Sequence, residues 1–291
     1  MSPSPSARHA DRRPFLLARA TILKAVRAWF DAHGFIEVEP AMLVASPGAE
    51  VHTDAIAADG GYLHTSPEFA MKRLLAAGET RIFSLGKVWR KGEHGALHAP
   101  EFTMLEWYRA DAPYTDIMAD CAALVRAACA AINADRLSWK GLACDPFAAP
   151  QSLTVGDAFK SIAGFTGDLY ADDPAYFAAN GMPSRAGETW SDQFAQVVVS
   201  RIEPKLGAPA LTFLTEYPIA EAALARRKPD DSRIALRFEL YACGVELANG
   251  FDELTDPIEQ RARLLAVMDE KQGRYGVRWP IDEAFLEALA H

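Results

Sequence analysis

The stretch "HAPEFTMLEWYRA", residues 98–110, sets two glutamates into a run of Phe, Thr, Met, Leu, Trp and Tyr, the composition of a half-buried strand. Successive strand side chains face opposite ways, so Phe102, Met104, Glu106 and Tyr108 share one face, and Glu101, Thr103, Leu105 and Trp107 the other. Glu106 therefore sits among aromatics. A carboxylate there stays ionised only beside something positive. The partner is either an ordinary Arg or Lys of the chain or a cation brought by a ligand.

Working outward, "RIFSLGKVW" (81–89) reads as a second strand, joined to the first by a polar loop as an antiparallel pair. "SPEFAMKRLLAAG" (66–78) reads as a short helix with Ser66 as N-cap, Pro67 at the first helical position and Gly78 as stop. "RPFLLARATILKAVRAWFDAHG" (13–34) carries Ile22, Val26, Trp29 and Phe30 at helical spacing and ends at a glycine; "FIEVEP" (35–40) then alternates like a strand closed by Pro40. Downstream, helices are expected near 115–134, 154–163 and 191–202, opened by Thr115, Thr154 and Ser191. Residues 165–190 look irregular, a peripheral insertion. "RIALRFELYACGVELANGF" (233–251) is a second hairpin, and Asp256-Pro257 with Glu259, then Asp282, open two further helices. Antiparallel strand pairs with helices before and between them argue an α+β fold.

The length of 291 residues lies near the scale, roughly 250 to 300 residues, at which one core stops growing. The expected organisation is a disordered tail over 1–13 and one large domain over 14–291. The opening "MSPSPSARHADRRP" is polar and proline-rich, without the apolar segment of a secretory signal. Lys plus Arg number 30 against 39 Asp plus Glu, a net charge of −9 with no long basic run, which excludes a generic polyanion binder. No apolar run reaches the membrane-spanning length of about 18 residues, so a cytoplasmic chain with no membrane partner is expected. Cys121, Cys129, Cys144 and Cys243 form no C-x-x-C pair and no zinc spacing, and read as reduced thiols.

A turn at Ala242-Cys243 would set Glu239 directly opposite Glu246. Like charges across a ladder need a cation, and two such carboxylates suit magnesium when phosphates complete its shell; a turn one residue longer would point them apart. Asn249, Phe251 and Glu253 then share an alternating face. Carboxylates flanked by aromatic faces suit an ammonium ligand, and Arg90 offers a guanidinium for phosphate. No glycine-rich phosphate loop occurs, so a nucleotide would be held by side chains on a sheet.

"TSPEFAMKRLL" (65–75), "PEFTMLEWYRA" (100–110) and "GVELANGFDELTD" (244–256) together resemble the catalytic core of class II aminoacyl-tRNA synthetases, most closely the lysyl-tRNA synthetase paralogues that attach a lysine-type residue to elongation factor P. The resemblance implies an antiparallel sheet flanked by helices, and a homodimer built through the helix ending near Gly34. It implies ATP and Mg2+, with Arg90 on the α-phosphate as the catalytic residue. It implies ATP contacts at His98, Phe102, Glu246 and Leu247, and magnesium ligands at Glu239 and Glu246. It implies an amino-acid pocket of Ser66, Glu68, Glu106, Tyr108, Asn249 and Glu253 for lysine or (R)-β-lysine, with Glu106 and Tyr108 at the ammonium. Glu101, on the other strand face, is then a structural partner.

The implied reaction is ATP-dependent activation of the amino acid as an adenylate and its transfer to a lysine side chain of elongation factor P. No anticodon-binding barrel is expected before the core, and tRNA is not expected as a partner. A minimal tRNA-aminoacylating enzyme and a catalytically weak binding or regulatory protein are the alternatives. The family's Arg-x-Glu reads Arg90-Lys91-Gly92 here, with Glu93 one place late, and its later loop arginine and asparagine are replaced within Ala96-Leu97-His98-Ala99. The family also continues past the position of His291 into a glycine-rich strand and an arginine-bearing helix. The expectation is therefore a C-terminally incomplete chain that does not form the adenylate appreciably by itself.

Overall fold

The computed structural model describes residues 5–48, 50–171 and 173–291. Within the catalytic domain expected from the sequence, two compact units are distinguished. The first comprises the described part of Met1–His33 with Pro113–Asp252, the second Gly34–Ala112 with Glu253–His291.

In the second unit, strand Arg81–Trp89 pairs antiparallel with Glu101–Arg109, setting Ser84 opposite Glu106 and Val88 opposite Phe102. The short strand Ile36–Glu37 joins it in parallel. Helix Glu68–Ala76 closes the face that carries Tyr108, burying Met71 with Ile82 and Tyr108. Its Phe69 stacks on Phe285 of helix Glu283–Ala288, with ring centroids 4.3 Å apart. Helix Pro257–Tyr275 starts as the sequence predicts: the Asp256 carboxylate accepts the N–H groups of Ile258 and Glu259. Gly276, left-handed at φ 67°, ends it. Asp282 caps the last helix through the Phe285 N–H.

The first unit is built on a sheet in the order Arg227–Lys228, Asp231–Ala242, Thr212–Pro218, Gln151–Thr154, with Val245–Phe251 also paired to Asp231–Ala242. It is antiparallel except that Gln151–Thr154 runs parallel to Thr212–Pro218. Thr154 caps helix Val155–Ser161 by accepting the Asp157 N–H, as expected. Helix Trp190–Val197 opens at Thr189, not Ser191, because Thr189 and Asp192 form a reciprocal capping box.

Two expectations are corrected. Helix Pro5–Ala32 takes in residues 5–13, assigned from the sequence to a disordered tail; a run rich in Ala and Arg has good helix propensity, and Pro14 is accommodated within it. Residues 1–4 of that tail lie outside the described residues. The segment 165–190 is no peripheral insertion, because its Phe165, Leu169, Tyr176 and Phe177 are buried in one cluster with Phe159, Phe194 and Tyr241. Periodicity is weak there because the apolar side chains come from a 3₁₀ turn and a single helical turn. Among the described residues no helix is long and apolar enough to cross a membrane.

The hairpin tip is locked onto the preceding loop: Gly207 accepts the Cys243 N–H at 2.8 Å and donates its own to Thr212 Oγ1 at 3.1 Å. Gly207 is left-handed at φ 74°, and a Cβ there would run into the Ala242 backbone. Gly207→Ala is expected to destabilise the protein by about 2 to 4 kcal/mol, combining a left-handed penalty with overpacking, measured by urea unfolding.

Candidate active site

Helix Glu68–Ala76 begins one residue later than Ser66-Pro67 suggests, with Pro67 at its cap. Ser66 nevertheless serves it. The hydroxyl oxygen accepts the Glu68 N–H at 3.0 Å, while its hydrogen goes to Glu106 Oε2 at 2.6 Å. Tyr108, two residues along the same strand face, donates to Glu106 Oε1 at 2.7 Å. Glu106 is thus held by two neutral hydroxyls. Burial first, then the charge of Glu68, pushes its carboxyl up to about 7 against the opposing pull of those hydroxyls and Lys72.

The neighbouring cation is Lys72, one helical turn after Glu68. Its Nζ donates to Glu68 Oε1 at 2.6 Å and to Glu253 Oε2 at 2.5 Å, with the Lys72 side chain only 4% exposed. Burial alone would lower its affinity for a proton; the charges of Glu253 and Glu68 overcome that and hold it firmly ionised. Glu253 is raised, mainly by burial, despite the attraction of Lys72. The structure therefore brings Ser66, Glu68, Glu106, Tyr108 and Glu253 together.

Arg90 lies beyond the end of strand Arg81–Trp89, its N–H on the Pro100 carbonyl at 2.9 Å and its guanidinium 5.4 Å from the centre of the Phe102 ring. His98 is exposed in the intervening loop, where its carbonyl accepts the Gly95 N–H. Glu101 pairs with Lys87 at 3.0 Å on the surface, the structural partnership expected for its face.

In the first unit the register of the second hairpin differs from the expected one. The turn residues are Cys243 and Gly244, both left-handed at φ 53° and 72°, so Ala242 pairs with Val245. A bulge at Leu247 then sets Tyr241 opposite Glu246 and Glu239 opposite Asn249. Glu239 and Glu246 are not directly opposed. They share a sheet face diagonally, because Tyr241 lies on the same face as Glu239. The compensating cation for buried Glu239 is Arg237, which bonds its Oε1; Tyr241 donates to Oε2. Arg237 lies 4.3 Å from the Tyr217 ring centre, and burial together with Glu239 raises the nearby Glu203 carboxyl. Glu246, Leu247 and Asn249 are exposed. Among the described residues no group of three or more His, Cys, Asp and Glu side chains could hold a metal. Each Glu239 oxygen accepts one hydrogen bond and keeps a second lone pair, so its chemistry fits a single carboxylate contact to magnesium.

Residues 6–290 match the model of the tRNA synthetases class II (D, K and N). The chain belongs to that class II synthetase family. It is 34% identical over 297 residues to the lysine–tRNA ligase of Dehalococcoides mccartyi, covering 97% of this chain and 58% of that protein. It is 35% identical over 285 residues to the elongation factor P–(R)-β-lysine ligase of Vibrio cholerae, covering 94% of this chain and 84% of the relative. The corresponding ligase of Pectobacterium carotovorum is 36% identical over 292 residues, with 95% and 84% covered. The chain thus spans a little over half the length of the lysine–tRNA ligases it matches. The cations bound to these acids, Lys72 in one unit and Arg237 in the other, are not singled out by the sequence reading, although each lies at a legible offset from an acid: four residues after Glu68 on a helix, and two before Glu239 on a strand.

Removing one partner of a buried ion pair leaves the other charge uncompensated. Arg237→Met is expected to destabilise the protein by about 3 to 5 kcal/mol in chemical denaturation, whereas a loss below about 1 kcal/mol would show that Glu239 does not depend on it.

Proposed function

We infer that the chain is an ATP-dependent ligase that activates lysine or (R)-β-lysine and transfers it to a lysine side chain of elongation factor P. The observation that carries this reading is Glu106, a carboxylate among aromatics solvated by the Ser66 and Tyr108 hydroxyls and ready for an ammonium. Glu68 and Glu253 add acidic groups beside it, and Asn249 is assigned to the same substrate. The relatives named elongation factor P–(R)-β-lysine ligase, matched over 84% of their length, support the acceptor.

In this reading the amino-acid carboxylate attacks the α-phosphate of ATP and pyrophosphate leaves; the acceptor amine then attacks the activated carbonyl and AMP leaves. Arg90 steadies charge on the α-phosphate, and Phe102 stacks on adenine, with His98, Glu246 and Leu247 as further ATP contacts. Glu239 and Glu246 would hold Mg2+, which supplies charge neutralisation to phosphate oxygens. Rate then comes from positioning and electrostatics without a covalent nucleophile. Phe15, Leu16 and Leu17, exposed on the first helix, support a homodimer. Four buried, unpaired thiols support a reducing compartment, the cytoplasm.

A second reading, charging of tRNA, draws on the relatives named lysine–tRNA ligase; the net charge of −9 weighs against it. Amino-acid-dependent exchange of labelled pyrophosphate into ATP, followed by transfer assays with elongation factor P and with tRNA, separates these. Lysine binding without exchange would assign a binding role instead.

Glu106→Gln is expected to weaken lysine binding at least about tenfold in calorimetric titration, the value of one charge-assisted contact, and unchanged affinity would remove Glu106 from the pocket. The same titration has a pH dependence of definite sign. Below about 7 the Glu106 carboxyl carries a proton that an ammonium must displace, so affinity rises with pH and levels off above it. The slope below that value is at most about tenfold per unit.

A further inference from the structure

Lys72 has no role in the reading above, yet it is the side chain on which two of the proposed pocket carboxylates meet. It is buried, its Nζ bonds Glu68 at 2.6 Å and Glu253 at 2.5 Å, and it lies 5.7 Å from the centre of the Phe285 ring. Glu106, by contrast, takes its hydrogen bonds from the Ser66 and Tyr108 hydroxyls. Glu68 and Glu253 thus share the Lys72 ammonium, while the hydrogen bonds to Glu106 come from neutral hydroxyls. Glu106 is the carboxylate that an incoming ammonium would compensate.

We propose that Lys72 is the positioning residue that sets the charge selectivity of the pocket. Its ammonium holds the Glu68 and Glu253 carboxylates side by side, leaving Glu106 to receive the side-chain ammonium of the ligand. A ligand without that ammonium leaves Glu106 with neutral donors only. Without Lys72, Glu68 and Glu253 lose their shared donor and repel one another, and neither is held where the ligand needs it. The inference rests on the amino-acid reading of this site.

Calorimetric titration with lysine and with norleucine, which lacks the side-chain ammonium, tests it on the wild-type chain, Lys72→Arg, Lys72→Met and Lys72→Ala, with thermal melts to establish folding. The wild type should prefer lysine. Lys72→Arg should keep that preference, and the uncharged but similarly sized Lys72→Met should lose at least about tenfold in lysine affinity. In Lys72→Ala, n-propylammonium replaces the deleted atoms and should restore lysine binding, whereas 1-propanol should not. Equal lysine affinity in the Met and wild-type chains would overturn the proposal. So would equal losses in the Arg and Met variants with no rescue by n-propylammonium, which would reduce Lys72 to a packing role. If the wild type binds no lysine-type amino acid at all, the pocket reading itself fails and takes this inference with it.

Discussion

A carboxylate cannot lie among aromatic rings unless the protein supplies the solvation that water would have given. Around Glu106 that solvation comes from two hydroxyls, and their positions depend on different parts of the local chain. Tyr108 is supplied by strand alternation alone. Ser66 is supplied by the approach of a helix whose first N–H it also receives. The packing of Met71 against Ile82 and Tyr108 keeps helix and hairpin together. An apolar contact thereby fixes the geometry of a polar one.

The first unit meets the same constraint differently. Glu239 is buried in a sheet, and Arg237 on the same strand face neutralises it while lying over Tyr217. In one unit a fixed guanidinium accompanies the buried acid directly. In the other, the fixed ammonium of Lys72 is bound to Glu68 and Glu253, and Glu106 receives only neutral donors. That asymmetry marks Glu106 as the acid with most to gain from an incoming cation.

Much of this was legible in the chain itself. The face shared by Glu106 and Tyr108 follows from alternation, and the caps at Thr154, Asp256 and Asp282 follow from helix-end chemistry. The register of the second hairpin was not, because a Cys-Gly turn with both residues left-handed lacks the usual Asn-Gly or Asp-Gly signal, and nothing in "GVELANGF" announces a bulge. The aromatic cluster over 165–190 was hidden for another reason: its order is tertiary, with no sustained local period to reveal it. Lys72 reads locally only as an ordinary i,i+4 partner of Glu68, and its second bond, to Glu253 181 residues away, is tertiary.

The bulge at Leu247 behaves like a frameshift written into the backbone. Strict alternation would put Glu246 and Asn249, three residues apart, on opposite sides of the sheet; one extra residue between them resets the phase and returns both to the face of Glu239. Straightening the strand into strict alternation at the same length would keep every side chain chemically intact while reversing the side to which Glu246 is addressed relative to Asn249 and Phe251. In this hairpin, backbone phase is therefore as informative as composition. A homologue that preserved both polar residues at the same spacing but lost the bulge would carry the same letters and spell a different surface.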